Sequence, residues 1–357
     1  MNIVVAGGGT AGHIDPALNL ADEIMRRHPD ARVVALGTER GLETTLVPAR
    51  GYALELIPPV PLPRRLNKDA LTLPWRLRSA VRRTREVIQR VNADVVVGFG
   101  GYVAIPAYLA AKNHVPFVVH EANAKPGLAN RVGARYADAV AETVAGSLPH
   151  AHHTGVPLRH TIETLDRATS RSQARAHFGI SEEARVILIF GGSQGARSIN
   201  DTVAACVEQG IFEDVLVIHA VGMKNEFPAE PSQTYRPFAY LERMDLAYAA
   251  SDFVIARSGA MTVAEVTAVG LPACFVPFPI GNGEQSLNAR PVVEAQGAVV
   301  VRDQEFTAEY VQNVIMPIMH SPQTLSRMGS QSRSVGHANA ASHLADLVEQ
   351  VIAKART

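Results

Sequence analysis

The sequence predicts an α/β protein built from two Rossmann-like domains, each a doubly wound parallel sheet. Three observations carry that expectation. Short apolar runs alternate along the chain with amphipathic helical patterns, the rhythm of βα units. The plan of strand, glycine-rich turn and helix occurs twice, at residues 7–13 (GGGTAGH) and 191–196 (GGSQGA). Between them, near Thr154–His160, the apolar pattern lapses and then restarts. The 357 residues are too many for one ordinary α/β core and suit two.

The first half opens with a strand at Ile3–Ala6, the glycine-rich turn, and a helix running to about Arg27, with Asp15–Pro16 in its first turn. Further strands are expected at Arg32–Leu36, Leu54–Ile57, Val95–Phe99 and Phe117–His120. The second half repeats the pattern with strands at Arg185–Phe190, Val215–His219, Phe253–Ala256, Ala273–Val276 and Ala298–Val301. Residues 330–340 read as a segment crossing back, followed by an amphipathic helix from about Ala341 to Lys354. The expected domains are therefore 1–157 and 158–336, with 337–357 returning to the first and a cleft between the two sheets.

The stretch Phe253–Asn288 organises the second half. A buried strand ends at Ser258–Gly259, and a helix runs from about Ala260 to Val269 before Gly270–Leu271–Pro272 stops it. A helix starting at the end of a parallel strand points free N–H groups outward, where phosphate binds. Glu265 lies one turn in, a lone acid among Ala, Val and Thr. Amides for a diphosphate and a carboxylate for two ribose hydroxyls suit a nucleotide; the plainer reading is a docked helix with an exposed acid.

Bulk properties exclude several classes. Formal charge is zero, so nothing global suggests nucleic acid. Cys206 and Cys274 sit in apolar surroundings and read as buried free thiols of a reducing compartment. The N-terminus meets glycine too early for a signal peptide, and no apolar run approaches a membrane span. A cytoplasmic protein is expected.

Two motifs mislead. Gly7–Gly12 satisfies the dinucleotide pattern, but the second strand ends at Leu36–Gly37–Thr38, without the acid that would hold a ribose; Glu39 comes two residues late. Gly191–Gly195 satisfies G-x-S-x-G, yet none of His219, His320, His337 or His343 sits in a loop of catalytic character. His150, His152, His153 and His160 cluster near the linker at spacings that match no zinc pattern. No Asp-x-Asp pair is present to hold a divalent ion, so a bound diphosphate would be met by helix N-termini, backbone N–H groups and Arg.

Residues 62–85 form a local charge anomaly. Arg64, Arg65, Lys68, Arg76, Arg78, Arg82, Arg83 and Arg85 are interleaved with Leu62, Leu66, Leu71, Leu73 and Trp75. Leu77, Val81, Thr84, Ile88 and Val91 form the stripe that should pack on the sheet, leaving much of the Arg outside. Most such runs are solvated helix faces; this mixture also suits an anionic membrane surface.

With HEANAKPGLAN at 120–130, GVPLR at 155–159, RSGAMTVAE at 257–265 and GEQSLNA at 283–289 added to the two glycine-rich turns, the chain resembles the MurG glycosyltransferases of glycosyltransferase family 28. The resemblance spans essentially the whole chain. It implies the GT-B fold, metal-independent inverting chemistry without a cofactor, and UDP-GlcNAc as donor. The acceptor would be lipid I, an undecaprenyl-linked muramyl peptide, used at the cytoplasmic face of the membrane beside other cell-wall synthesis proteins.

Carried over residue by residue, the resemblance places the backbone of Leu241 on uracil and Arg159 on the donor. It places Glu265 on the ribose and Ser193 with Ala260, Met261 and Thr262 on the diphosphate, on the helix that continues through Val263 and Ala264. Gln285 falls on the sugar hydroxyls, and Thr10, Ala11, Gly12 and Asn123 close over the donor. His13 at a helix N-terminus, where the dipole keeps imidazole neutral, is the candidate base; Glu121 is its competitor. Ala11, Ala122 and Glu284 depart from the usual residues. A UDP-GlcNAc 2-epimerase and a non-catalytic nucleotide-sugar binder are the rival readings.

Overall fold

The computed structural model describes residues 1–60, 68–280 and 282–357. They form two compact units: Met1–Arg159 with Asn339–Thr357, and His160–Ala338. The divisions fall two residues beyond the expected 157/158 and 336/337.

The first unit holds β1 (Asn2–Gly7), β2 (Arg32–Gly37), β3 (Ala53–Leu56), β4 (Val95–Gly100), β5 (Phe117–Glu121), β6 (Ala139–Glu142) and β7 (His152–His153). They make one sheet in the order β3-β2-β1-β4-β5-β6-β7, and every pair is parallel. Val4 pairs with Val34 on one side and Val96 on the other. A central parallel strand has both faces covered, hence the unbroken apolar runs.

Helix Ala11–Arg27 starts four residues earlier than Asp15–Pro16 suggests, because the chain enters it directly from the glycine-rich turn; Pro16 lies inside. Helix Ala340–Arg356 buries Leu344, Val348 and Ile352 in the same core as Ile14, Leu18 and Ile24. Arg27 fixes the pair by donating to Asp346 at 2.6 Å.

The second unit holds β8 (Val186–Phe190), β9 (Leu216–Ala220), β10 (Tyr235–Phe238), β11 (Phe253–Ala256), β12 (Ala273–Phe275) and β13 (Ala298–Val300). Their order is β10-β9-β8-β11-β12-β13, again all parallel. β6, β7 and β10 lie outside the sequence expectations. β10 reads Tyr-Arg-Pro-Phe, with no apolar run; it tolerates Pro237 because it is an edge strand. The segment at 330–340 is helical to Ser334, where the helix Pro322–Ser334 ends.

Candidate functional site

Each unit gathers candidate residues at the C-terminal ends of its strands, where helix N-termini meet the sheet. In the first unit the turn after β1 is tight enough that a Cβ on Gly7 would lie 2.1 Å from the His13 carbonyl oxygen. Thr10 precedes the helix, Ala11 and Gly12 open it, and His13 completes the first turn. Thr10 Oγ1 lies 3.1 Å from His13 Nδ1. The other edge of the ring faces Gly100, where a Cβ would come within 3.2 Å of Nε2. Burial pulls the His13 pKa below that of free imidazole, while the Glu121 charge and a bond to the Gly8 backbone oppose the shift. The ring is therefore neutral near pH 7.

Glu121, the other candidate base, ends β5 and is 3 % exposed. Its Oε1 accepts from the Asn123 backbone N–H at 2.9 Å, and its Oε2 from Gly127 N–H and Asn130 Nδ2, both at 3.0 Å. Tyr108 Oη donates to Asn130 Oδ1 at 2.7 Å and fixes that amide. Glu121 thus clamps the loop carrying Asn123, and both its oxygens are engaged. Ala122 is buried in that loop.

Arg159 falls at the end of the first unit instead of in the second domain. Its charge acts on Asp15, whose carboxyl is raised in pKa by burial against the opposing pull of Arg159 and Arg50. Asn19 Nδ2 donates to the Pro157 carbonyl at 2.8 Å and ties the segment before Arg159 to helix Ala11–Arg27. His120 donates from Nε2 to the Gly155 carbonyl at 2.8 Å, and burial lowers its pKa to about 4.

In the second unit an open pocket of about 640 Å³ is lined by Gly191, Gly192, Gly195, Arg257, Thr262 and Gln285, among others. Gly259 caps the helix Ala260–Ala268 without a side-chain bond and no acid occupies its first turn, so among the described residues the starting N–H groups of Ala260, Met261 and Thr262 have no side-chain cap. Gln285 Oε1 accepts from Phe278 N–H at 3.0 Å, fixing the loop above helix Glu284–Glu294. Glu284 and Asn282 exchange backbone–side-chain bonds of 3.1 Å, which gives Glu284 a capping role.

Glu265 accepts from Tyr248 Oη at 2.8 Å. Of the donor residues expected in this unit, Thr262 and Gln285 line the pocket; Ser193, Leu241, Ala260, Met261, Val263, Ala264 and Glu265 do not. Leu241 is buried just beyond β10. Ser193 is exposed, and among the described residues it makes no side-chain hydrogen bond, so it lacks the histidine a nucleophile needs. His219 is a core residue, bonded through Nδ1 to Tyr235 Oη at 2.9 Å and through Nε2 to Asn200 Oδ1 at 3.1 Å, with its pKa lowered to about 3 by burial.

Several residues escaped the sequence reading. Arg257 donates to the Val276 carbonyl at 3.1 Å, to Ser198 Oγ at 2.8 Å and to Asp303. Its guanidinium lies 5.5 Å from the Phe278 ring centroid. The motif containing Arg257 was visible, but Asp303 and Ser198 lie at separate places in the chain and only folding brings them to it. Tyr248 and Glu43 escaped for the same reason.

Among the described residues no group of three or more His, Cys, Asp or Glu is placed to hold a metal ion. His152 and His153 form the exposed β7, where His153 Nε2 bonds the Thr143 carbonyl at 2.7 Å. Of the basic segment, residues 62–67 lie outside the described residues. Helix Lys68–Val91 follows, with Ala80, Thr84, Val87, Ile88 and Val91 inward, Leu77 and Val81 half-buried, and Trp75 74 % exposed. Arg78, Arg82, Arg83 and Arg90 are exposed. No helix among the described residues is long and apolar enough to cross a membrane.

Two parallel-sheet α/β units, each with a glycine-rich turn feeding a helix, define the GT-B class of two-domain fold. The description "Glycosyltransferase family 28 N-terminal domain" matches residues 3–142, and "Glycosyltransferase family 28 C-terminal domain" matches residues 186–350. The chain belongs to glycosyltransferase family 28.

A relative from Saccharopolyspora erythraea is 56% identical, over 98% of this chain and 94% of its own length. Its name is UDP-N-acetylglucosamine--N-acetylmuramyl-(pentapeptide) pyrophosphoryl-undecaprenol N-acetylglucosamine transferase. Among solved structures, MurG of Acinetobacter baumannii is 27% identical with a TM-score of 0.78, covering 98% of this chain and 99% of that one. A UDP-GlcNAc 2-epimerase from Neisseria meningitidis is 14% identical with a TM-score of 0.65, covering 99% and 100%, a likeness of fold alone.

Proposed function

We propose that this enzyme transfers N-acetylglucosamine from UDP-GlcNAc to the C4 hydroxyl of an undecaprenyl-pyrophosphoryl-N-acetylmuramyl pentapeptide, lipid I, with inversion, giving lipid II. The observation that carries the reading is the 56% identity over 98% of the chain to a relative named for this transfer. The pocket and helix start in the second unit support it chemically, because they offer uncapped N–H groups beside Thr262 and Gln285.

Two demands define the chemistry. The diphosphate leaving group gains charge as the glycosidic bond breaks, and fixed N–H dipoles at Ala260–Thr262 with the Arg159 cation lower that barrier. The C4 hydroxyl must lose its proton as it attacks the anomeric carbon. His13 is the base in this reading. The neutral ring meets Thr10 Oγ1 and the Gly8 backbone and keeps one unprotonated nitrogen, which would take the C4 hydroxyl proton. Support for His13 over Glu121 comes from occupancy: the glutamate oxygens already accept from Asn123, Gly127 and Asn130. Glu265 takes the ribose hydroxyls, Gln285 the sugar hydroxyls, the Leu241 backbone the uracil, and Asn123 and Thr10–Gly12 the donor from the first unit. Ser193 adds a hydroxyl to the diphosphate.

The acceptor tail stays in the bilayer, so the enzyme works at its cytoplasmic face as a peripheral protein. Exposed Trp75 and the outward Arg78, Arg82 and Arg83 support contact with anionic headgroups. The test is incubation of UDP-GlcNAc with a soluble lipid I analogue, scored for a disaccharide product. His13→Gln should lose turnover while still binding UDP; near-normal turnover in His13→Gln with a dead Glu121→Gln would transfer the base role to Glu121.

A further inference from the structure

The glycine-rich turn of the first unit matches a phosphate-binding fingerprint in sequence, yet the structure supplies it with a carboxyl group of its own. Glu43 opens helix Glu43–Ala49 and is 0 % exposed. Its Oε2 accepts from the Gly9 backbone N–H at 3.1 Å. Its Oε1 accepts from the Thr38 backbone N–H at 2.8 Å and bonds Thr38 Oγ1 at 3.0 Å. Two glycines make room for its side chain: a Cβ on Gly41 would lie 2.0 Å from Glu43 Oε2, and one on Gly37 2.4 Å from its Cγ.

Both backbone partners are donors, and the carboxyl group meets them with an acceptor oxygen each. A buried polar group of this kind is costly unless it is hydrogen-bonded. It earns its place by joining two loops: the exit of β2, through Thr38, and the turn after β1, through Gly9. Gly9 has a φ of +89° and immediately precedes Thr10, whose carbonyl accepts from His13 N–H at 3.0 Å and whose hydroxyl meets the imidazole.

We propose that Glu43 is a positioning residue: an internal carboxylate standing where this turn type ordinarily holds a ligand phosphate, and setting the orientation of Thr10 and His13. It touches no substrate and acts through the turn. The proposal rests on His13 serving as the base.

The test is chemical rescue. Glu43→Ala removes the carboxylate and leaves a cavity beside the Gly9 N–H. Turnover at saturating substrates should fall ~10- to 100-fold, the scale of a displaced catalytic group, while the Kd for UDP, set mainly in the second unit, stays within about twofold. Sodium formate at tens of millimolar should restore turnover several-fold in Glu43→Ala and leave wild type and Glu43→Gln unchanged. A side chain needed only for folding would lower soluble yield and UDP binding together and would show no formate response.

Full turnover in Glu43→Ala, or a loss that formate does not restore, overturns the proposal. Should Glu43→Ala not fold, Glu43→Gln keeps the volume and must show the same kcat loss with unchanged UDP binding; failure of both variants to fold assigns Glu43 to folding and overturns it as well. The parallel His13→Gln assay separates the two levels: normal turnover there removes the base assignment, whatever Glu43 does.

Discussion

Removing Glu265 tests the donor half of the site without an acceptor. The carboxylate sits on helix Ala260–Ala268 and accepts from Tyr248 Oη at 2.8 Å, and Tyr248 itself is fully buried on helix Met244–Ala250. The tyrosine therefore aims the acid. In the account above the carboxylate bonds two ribose hydroxyls. Hydrogen bonds to a charged group contribute about 1.5–3 kcal/mol each, less what water recovers when the site refills. Glu265→Ala should thus cost roughly 3 kcal/mol of UDP affinity, about 100-fold in Kd. Glu265→Gln keeps one acceptor oxygen and loses the charge, for about tenfold. Tyr248→Phe leaves the charge and removes one contact that orients it, for about threefold. Titration calorimetry with UDP alone reads all three. Wild-type affinity in Glu265→Ala, or an order other than Ala weakest, then Gln, then Phe, would refute the reasoning.

Three further outcomes follow from the same structure. Burial lowers the His13 pKa, so the base is deprotonated at pH 7 and kcat should fall only on the acid side, with an apparent pKa below 6.5; a limb above 7 contradicts this. His120 and His219 are buried neutral with pKa values lowered to about 4 and about 3, so the unfolded chain binds the extra protons as pH falls below 6.5 and stability drops. Each should remove about 2 kcal/mol between pH 7 and pH 5, visible as a lower urea midpoint for its own unit, and a midpoint that does not move would contradict it. Charge reversal at Arg78, Arg82 and Arg83 with Trp75→Ala should abolish co-sedimentation with anionic liposomes, at about 1 kcal/mol per arginine removed, and leave turnover of a water-soluble acceptor intact; unchanged binding would remove the membrane role.

What was legible in the sequence follows the physics of parallel sheets. Central strands such as Val95–Phe99 and Phe253–Ala256 are covered on both faces, so they appear as unbroken apolar runs. Edge strands are not. Tyr235–Phe238 carries Arg and Pro, and His152–His153 is two exposed residues, so neither announces itself. The same division holds in the site. Residues contributed by one contiguous stretch, such as Ala260–Glu265 at a helix start, were visible as candidates because position along the helix shows which N–H groups open it. Residues assembled across the chain were not. Glu43 reaches Gly9 across 34 positions, and Arg257 reaches Asp303 across 46. Glu121 was visible as an acid but not as a clamp, because its partners Asn123, Gly127 and Asn130 become partners only once the loop after β5 folds back.

The most direct measurement follows radiolabelled UDP-GlcNAc with the purified enzyme, with and without a lipid I analogue. Label should move into a lipid-extractable disaccharide, and UDP should be released only when the acceptor is present. UDP release without acceptor, conversion of the donor sugar to its 2-epimer, or tight donor binding with no transferred label would contradict the account.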